Sequence, residues 1–310
     1  MNLRYEGIYG YVDHLPKEKM AFNALRDHFS IDDPDRWIHE SFRKGYWDGK
    51  RRVITEKGRF LRGLTTNILK WGKDNGIDVS CSVMPNQAQS SITKGLRSLS
   101  DSETLKGIEL ADHQRRMVSA LLDYGGGTAE GVTGSGKTEC ITLLMKILST
   151  KINIIFVLVH RIGLMEQSFQ RFKVRCPELS VFSGMLGDGK KPKEGSRFVF
   201  STQQSLSSAL ALKRKGKAPN EEIANLWANA GAVIIDECHN VTQDDYITLL
   251  ETMPDQAGVY QFSGTPETND QIRDWTITGI GGPIVCRVKR PELEDKGFIA
   301  KAVACLRVFQ

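Results

Sequence analysis

Residues 131–138 read Gly-Val-Thr-Gly-Ser-Gly-Lys-Thr. It fits the pattern G-x-x-x-x-G-K-[ST] at every position, and it joins a predicted strand at residues 129–132 to a predicted helix at residues 137–149. In such a loop, glycines let backbone N–H groups close around phosphate, and the start of the helix favours the negative charge. The stretch therefore predicts a phosphate-binding loop, in which Lys137 reaches the β- and γ-phosphates and the Thr138 hydroxyl binds Mg²⁺.

A second stretch, residues 233–239, reads Val-Ile-Ile-Asp-Glu-Cys-His, an apolar strand that ends in two adjacent carboxylates. Asp236 can hold Mg²⁺ through water, and Glu237 is placed to polarise the water that attacks a γ-phosphate. Alone, such a pair is often a solvated turn. Because it follows a phosphate loop with an α/β pattern in between, the two stretches predict a nucleotide-hydrolysing site whose catalytic residues are Lys137, Asp236 and Glu237.

From residue 108 onward, apolar strand-like runs alternate with amphipathic helical patterns. This alternation predicts an α/β fold with a parallel sheet covered by helices on both faces. The predicted strands cover residues 129–132, 153–159, 180–182, 198–201, 232–235, 259–263 and 284–288. The predicted helices cover residues 111–123, 137–149, 162–172, 203–213, 221–229 and 243–253.

The first third of the chain has a different texture. Short strand and helix patterns predict a small α+β domain over residues 1–83, followed by a polar, serine-rich linker over residues 84–107. Its predicted strands cover residues 3–12, 52–55 and 77–83, and its predicted helices cover residues 17–29 and 64–75. The remaining residues, 108–310, form the third predicted segment.

Charge distinguishes the two domains more sharply than composition does. Residues 1–100 contain 17 basic and 12 acidic residues and so carry the whole net charge of +5, whereas residues 101–310 contain 25 of each. Within the first third, residues 41–62 hold eight basic residues against two acidic ones. This asymmetry predicts that the first domain meets a polyanion.

Composition excludes several classes of protein. Apolar residues make up 40% of the chain and charged residues 25%, which argues against wholesale disorder and collagen-like repeats. No apolar run reaches the roughly 18 residues of a membrane span, and no signal peptide precedes the first domain. Six cysteines without a C-x-x-C pair and six histidines without H-E-x-x-H predict neither a disulfide framework nor a transition-metal site. We therefore expect a cytoplasmic protein with no membrane partner.

The order of the motifs resembles the first motor domain of a superfamily-two helicase. Residues 131–138, 236–239 (Asp-Glu-Cys-His) and 263–266 (Ser-Gly-Thr-Pro) resemble helicase motifs one, two of the DExH type, and three. Residues 159–161 and 200–204 are similar to motifs Ia and Ib, and Gln114 stands where the adenine-reading glutamine of the family would lie. The resemblance implies a RecA-like P-loop motor domain that uses ATP and Mg²⁺.

The same resemblance implies roles for individual residues. It places Arg161 and Thr202 on the tracked DNA strand, and it makes Thr138 and Asp236 the Mg²⁺ ligands. It implies that His239, Ser263 and Thr265 couple the nucleotide state to the grip on DNA. The nucleotide would be bound by Gln114, Thr133, Gly134, Ser135, Gly136, Lys137 and Thr138.

In the first third, residues 24–29 and 42–50 resemble the amino-terminal DNA-binding domain of the UvsW-type phage helicases. That resemblance implies an ATP-dependent DNA helicase or branch-migration motor that remodels branched DNA in phage recombination, repair and replication, in the host bacterial cytoplasm. From the residues alone, we expect phosphate contacts from Arg43, Lys44, Lys50, Arg51 and Arg52. Phe42, Tyr46, Trp47 and Phe60 could stack on bases or pack inward, and the sequence leaves both open.

A superfamily-two helicase needs a second motor domain that supplies arginines to the γ-phosphate. Residues 291–297 read as a helical connector and residues 299–310 as a strand leading elsewhere, so we expect a partial chain that binds nucleotide and DNA but hydrolyses ATP weakly. Two alternatives stay open: a duplex-DNA translocase subunit of the restriction type, and a branched-DNA-binding module with little ATPase activity. RNA as the tracked strand also stays open.

Overall fold

The computed structural model describes residues 1–81, 93, 95–212, 218–241 and 244–300. Part of the predicted polar linker (residues 84–92 and 94) and nearly all of the last predicted strand (residues 301–310) lie outside the described residues. Residues 82–83, 213 and 243, at the ends of three other predicted elements, lie outside them as well.

The first third is built on a four-stranded sheet. The single strand predicted over residues 3–12 is wrong: a tight turn at residues 7–8 reverses the chain, and Glu6 pairs with Tyr9 in an antiparallel hairpin. The strands join in the order β5-β2-β1-β6, and β3 pairs with β4 in a separate ribbon. These strands are β1 (Asn2–Glu6), β2 (Tyr9–Asp13), β3 (Ser30–Asp32), β4 (Lys50–Arg52), β5 (Arg59–Leu61) and β6 (Ser80–Cys81).

Three helices accompany this sheet, α1 (Lys19–His28), α2 (Glu40–Arg43) and α3 (Thr65–Asp74). Phe22 and Leu25 of α1 and Ile68 of α3 are fully buried, and they pack with Leu3 and Phe60 of the sheet. The apolar spacing of the helices therefore closes a small core over one face of the sheet.

The rest of the chain forms a seven-stranded sheet in which every neighbouring pair is parallel, in the order β13-β7-β12-β11-β8-β10-β9. The predicted parallel α/β architecture is confirmed. Its strands are β7 (Gly127–Gly131), β8 (Ile155–Val159), β9 (Ser183–Leu186), β10 (Phe198–Thr202), β11 (Ala232–Asp236), β12 (Gly258–Ser263) and β13 (Ile284–Val288). The accompanying helices are α4 (Arg97–Ser102), α5 (Asp112–Tyr124), α6 (Lys137–Leu148), α7 (Ile162–Arg175), α8 (Pro177–Ser180), α9 (Gln203–Ala209), α10 (Glu221–Ala228), α11 (Asp244–Leu250), α12 (Gln271–Gly281) and α13 (Arg290–Asp295).

Helices cover both faces of this sheet, as the strand β8 shows. Ile155, Val157 and Val159 face one hydrophobic core, whereas Phe156 and Leu158 face the other, and all five are at most 1% exposed. A strand buried on both faces reads as a continuous apolar run, which is why the sequence predicts the central strands well.

Two elements differ from prediction. The strand predicted at residues 180–182 is wrong, because α8 occupies residues up to Ser180 and the strand β9 starts at Ser183. Pro177 at the first helical position favours the helix, and the apolar Val181 and Phe182 that suggested a strand are exposed. The sequence also missed α12, whose glycines and β-branched residues lower its helix propensity.

The small sheet docks on the large one through close backbone contacts. Arg62 donates hydrogen bonds to the carbonyls of Gly7 (3.0 Å), Asp255 (3.1 Å) and Ala257 (3.3 Å), and burial lowers the pKa of its guanidinium. A Cβ on the next residue, Gly63, would lie 2.2 Å from the carbonyl oxygen of Thr278 in α12. Only glycine allows this approach, so the sequence itself specifies the contact.

Because all strands of the large sheet are parallel, their carboxyl ends share one edge. The phosphate loop follows β7, Arg161 lies shortly after β8, and Asp236 and Ser263 end β11 and β12. In an open α/β sheet this edge is where ligands bind. None of the helices in the described ranges is long and apolar enough to cross a membrane.

Candidate nucleotide site and nucleic-acid interface

The predicted phosphate loop joins β7 to α6. Gly136 precedes the helix with a left-handed φ of +79°, and a Cβ there would lie 2.0 Å from Nε2 of Gln114. Ser135 is 1% exposed, and its Oγ has no hydrogen-bond partner among the described residues. A buried hydroxyl without a partner costs free energy unless a ligand or water satisfies it, so the loop suits a polar ligand such as phosphate.

Lys137 points back over this loop. Its Nζ donates to the carbonyl oxygen of Gly131 at 3.0 Å and lies 3.7 Å from Oε1 of Glu237, and its side chain is only 12% exposed. An ammonium group in this position is available to an anion bound in the loop. The two predicted catalytic stretches are therefore in direct contact through this lysine.

Asp236 ends β11 in a mostly buried position. Burial, and then the neighbouring Glu237 carboxylate, raise the pKa of Asp236 to about 6. Its Oδ1 accepts a hydrogen bond from the backbone N–H of Glu237 at 3.0 Å, which only partly compensates the charge. A carboxylate that is costly to ionise gains stability from a nearby cation, and this is the behaviour expected of a Mg²⁺ ligand.

Glu237 has an unusual backbone conformation. Its φ of +52° and ψ of +56° lie in the left-handed region, which costs a non-glycine residue roughly 1–2 kcal/mol. Asn240 supports the turn by donating from Nδ2 to the Glu237 carbonyl at 3.0 Å. The turn leaves the Glu237 carboxylate beside Lys137 on one side and, at 3.3 Å, beside Nδ1 of His239 on the other.

The three residues predicted to couple the site lie together. His239 Nδ1 is 3.1 Å from Ser263 Oγ, and that oxygen accepts the backbone N–H of Thr265 at 3.2 Å. Ser263 is fully buried at the end of β12. The ends of β11 and β12 are thus joined by side chains as well as by the sheet.

Sequence reasoning missed Arg273, which extends this network into α12. Its Nη2 donates to the carbonyl oxygen of His239 at 3.2 Å. Asp270 caps the helix by accepting the backbone N–H groups of Ile272 (2.9 Å) and Arg273 (3.3 Å). An aspartate at this position is an N-cap signal, and it could have identified the helix in the sequence.

Gln114 lies against the phosphate loop. Its Nε2 donates to the carbonyl oxygen of Ser135 at 3.4 Å, while its Oε1 accepts the backbone N–H of Ala111 at 3.0 Å. His113, which the sequence did not suggest, is 1% exposed, with Nε2 at 3.0 Å from the same Ser135 oxygen. The start of α5 therefore contacts the phosphate loop at the Ser135 carbonyl.

The other predicted nucleotide-binding residues lie in or next to the loop. Thr133 and Gly134 are exposed at the tip of the loop, and Thr138 is half-buried in the first turn of α6.

The two predicted strand contacts of the large sheet differ from each other. Arg161 is exposed in extended backbone just before α7, at the edge where the site lies. Thr202 is only 3% exposed, and its Oγ1 caps α9 by accepting the backbone N–H of Ser205 at 3.1 Å. The Thr202 hydroxyl thus caps a helix, and its contact with DNA stays a prediction.

Most of the basic residues predicted to touch phosphate are already paired. Lys44 pairs with Glu40, Lys50 with Asp27, Arg51 with Asp33, and Arg52 with both Asp27 and Asp48. Arg52 is the most enclosed, at 18% side-chain exposure, and its guanidinium lowers the pKa of Asp48 to about 2. Arg43 is exposed and takes part in none of the ion pairs among the described residues. The positive charge of these residues is thus less available to phosphate than the sequence suggests. Arg52 joins Asp27 and Asp48 within the first third.

The aromatic residues of the first third separate into two groups. Phe60 is 1% exposed and packs inward, and Trp47 is half-buried with Nε1 donating to the Lys50 carbonyl at 3.1 Å. Tyr46 is 84% exposed and Trp37 is 65% exposed. Trp37 is not among the residues predicted from the sequence to contact DNA.

Comparisons with known proteins agree with this geometry. A family model described as the type III restriction enzyme res subunit matches residues 107–268, more than half of the chain. The replication restart protein PriA of Haemophilus influenzae is 31% identical over 137 residues, which are 43% of this chain and 17% of PriA. A helicase-like protein of Sulfolobus islandicus filamentous virus is 28% identical over 194 residues, 61% of this chain and 34% of its own. The chain thus spans about a third or less of these relatives.

Among solved structures, the UvsW helicase of bacteriophage T4 has the same fold. One crystal structure of it matches with a TM-score of 0.72 and 18% identity, covering 92% of this chain and 99% of that chain. A second matches with a TM-score of 0.72 and 19% identity, covering 93% of this chain and 57% of that chain. The predicted RecA-like fold, preceded by a small α+β unit, is confirmed.

Proposed function

The chain belongs to the family of the type III restriction enzyme res subunit and is a superfamily-two helicase-type protein, and from this premise we propose that it is an ATP-dependent DNA helicase that remodels branched DNA. One observation carries the proposal. The carboxyl ends of β7, β11 and β12 bring the phosphate loop, the Asp236-Glu237 pair and Ser263 into one connected group.

These connected residues suit ATP and Mg²⁺, because they combine a glycine-rich loop, the mostly buried Lys137 and the Asp236 carboxylate, which is costly to ionise. Thr138 and Asp236 would hold Mg²⁺, which when bound neutralises charge on the phosphates. Lys137 would move from the Gly131 carbonyl to the nucleotide phosphates. The residues proposed to bind the nucleotide are Gln114, Thr133, Gly134, Ser135, Gly136, Lys137 and Thr138.

Glu237 is the proposed base. Its carboxylate would orient the attacking water and accept its proton, while Lys137 holds the phosphate charge. Glu237 contacts His239, and His239 contacts Ser263. A movement of the Glu237 carboxylate would therefore be transmitted to Ser263 through the His239 side chain. His239, Ser263 and Thr265 are therefore the proposed coupling residues.

For DNA, we propose contacts by Arg161 at the edge of the large sheet and by Arg43, Lys44, Lys50 and Arg51 in the first third. Exposed ion pairs contribute about 0–1 kcal/mol each, so phosphate can displace the carboxylates that now pair with Lys44, Lys50 and Arg51. Arg52 would support them from its enclosed position.

We propose branched DNA as the substrate class from the resemblance of residues 24–29 and 42–50 to the UvsW-type helicases, and two relatives are consistent with a role on DNA or as a helicase. PriA is a replication restart protein, and the fold shared with the phage T4 UvsW helicase extends over the small α+β unit as well as the motor. We extend these functions to the chain as a role in phage recombination, repair and replication. A second candidate, a duplex-DNA translocase, is favoured by the restriction-enzyme description of the family.

Fluorescence anisotropy with labelled DNA tests the proposal. We expect the 310-residue chain to bind a fork several-fold more tightly than a blunt duplex, and we expect a non-hydrolysable ATP analogue with Mg²⁺ to change the fork affinity. Lys137→Ala should keep fork binding and lose the response to nucleotide. Absence of DNA binding, or a nucleotide response that survives in Lys137→Ala, would contradict the proposal, and equal affinity for fork and blunt duplex would favour the translocase.

A further inference from the structure

We propose that Trp37, Ile38 and Tyr46, here called the aromatic surface, stack on unpaired bases where a DNA duplex branches. The inference rests on the proposed function and adds to it the part of the DNA that the first third contacts. The three side chains are 65%, 75% and 84% exposed, although large apolar side chains are usually buried. All three lie within residues 36–46, between the short strands β3 and β4.

Contacts within residues 36–50 support the Trp37 ring and the backbone of Tyr46, although both side chains are exposed. The Trp37 ring packs edge-on against Phe42 at 4.9 Å between ring centres, and Phe42 in turn lies 6.3 Å from the ring of Trp47. Trp47 is fixed by its hydrogen bond to the Lys50 carbonyl in β4. Tyr46 is tied through its backbone N–H, which donates to the carbonyl of Ser41 at 2.8 Å. A preorganised ring loses little conformational entropy when it binds, which favours stacking.

Basic residues surround the aromatic surface, and those in ion pairs, such as Arg36 with Asp32 and Lys44 with Glu40, can exchange an exposed carboxylate for phosphate. Residues 36–52 hold six basic and two acidic residues. The Arg36 guanidinium lies 5.4 Å from the centre of the Trp37 ring, and Arg43 is exposed. A partner that is both polyanionic and rich in flat apolar faces matches this combination, and single-stranded nucleic acid has both properties.

Unpaired bases fit the aromatic surface better than duplex does. In a duplex the faces of the bases are stacked on one another and are closed to a side chain, whereas a single strand or a branch point leaves them open. Exposed rings beside cations are therefore suited to the place where a duplex opens, with the phosphates of the flanking strand near Arg43 and Lys44.

The test compares Trp37→Ala/Tyr46→Ala with Met20→Ala, a control that truncates a side chain 87% exposed on α1. Since stacking contributes about 1–3 kcal/mol per base, we expect the double variant to bind a fork with single-stranded arms about 5- to 150-fold more weakly than wild type. Blunt-duplex affinity and the salt dependence of fork binding should stay unchanged, because no phosphate contact is removed. Met20→Ala should bind like wild type.

A second measurement detects the stacking directly. Titration with oligo-dT should quench tryptophan fluorescence in the wild type more than in Trp37→Phe, which keeps an aromatic ring and should keep fork affinity within a few-fold. The inference is overturned if the double variant binds the fork as tightly as wild type while Arg43→Ala/Lys44→Ala binds weakly. That result leaves the proposed function intact, whereas failure of the wild type to bind any DNA overturns both.

Discussion

Asp236 is a carboxyl whose ionisation is costly in the folded protein. Its carboxyl is mostly buried, lies beside the Glu237 carboxylate and receives only one backbone hydrogen bond. Burial and the Glu237 charge outweigh the nearby Lys137 ammonium, so the pKa of Asp236 rises to about 6 in the folded protein. This cost to stability is one that bound Mg²⁺, as proposed, would offset.

The raised pKa of Asp236 predicts that Asp236→Asn stabilises the protein in a pH-dependent way when EDTA is present. The unfolded carboxyl ionises near its ordinary pKa of about 4, whereas the folded one ionises near 6, so the wild type loses stability as pH rises between these values. Above pH 7 the asparagine variant should be more stable by about 3 kcal/mol, because each unit of pKa difference corresponds to about 1.4 kcal/mol, and near pH 4 most of the difference should vanish. Urea unfolding at a series of pH values measures it. A variant less stable than wild type at pH 8 would contradict the burial argument.

At the residue scale, the sequence identifies the site well where the chemistry is local. Lys137 and Thr138 stand in one continuous loop, so their spacing alone predicts their roles. The state of Arg52 and Thr202 depends on groups that fold next to them, namely Asp27 and Ser205. Burial and capping of this kind arise from tertiary structure, and residue type alone does not reveal them.

Among the elements, α12 connects the site with the first third. Its N-terminal turn contacts the site through Arg273 and the His239 carbonyl, and its C-terminal half contacts the small sheet. There, Gly63 approaches the carbonyl of Thr278, and a Cβ on Gly279 would lie 2.5 Å from Leu61. The ring of Phe29 also packs 5.4 Å from that of Trp275. One helix thus contacts both the coupling residues and the proposed DNA-binding unit.

The close backbone contact predicts that Gly63→Ala destabilises the protein. A methyl group must displace a carbonyl oxygen, and overpacking of this kind typically costs 1–3 kcal/mol, so we expect a loss of about 2 kcal/mol in urea unfolding. Gly163→Ala is the matched control, because its Cβ would point into open space at the start of α7 and should be neutral or slightly stabilising. Equal stability of Gly63→Ala and wild type would show that the docking tolerates a side chain.

The same helix explains the limits of prediction at the element scale. Strands such as β8 and β11 are apolar on both faces and stand out in any sequence. The helix α12 has few such signals, since its stability comes from the Asp270 cap and from tertiary packing of Ile277 and Ile280. A tight turn likewise divides the apolar stretch at residues 3–12, and its geometry is invisible to a pattern of period two.

In the whole molecule, hydrogen bonds join the small α+β unit to the large sheet. Arg62 donates to the backbone carbonyls of Asp255 and Ala257 across the junction, and the Tyr9 hydroxyl donates to Glu251. The composition predicts the separation of charge between the two parts, but it contains no information on their docking.

Binding of ATP at the edge of the large sheet, as proposed, can be measured by calorimetric titration of ATP with Mg²⁺ into the 310-residue chain. We expect saturable binding at one site, weakened at least about tenfold in Lys137→Ala because its ammonium group neutralises phosphate charge. Lys151→Ala, which removes an exposed lysine after α6, should bind like wild type. Absence of binding, or equal affinity in wild type and Lys137→Ala, would contradict the account.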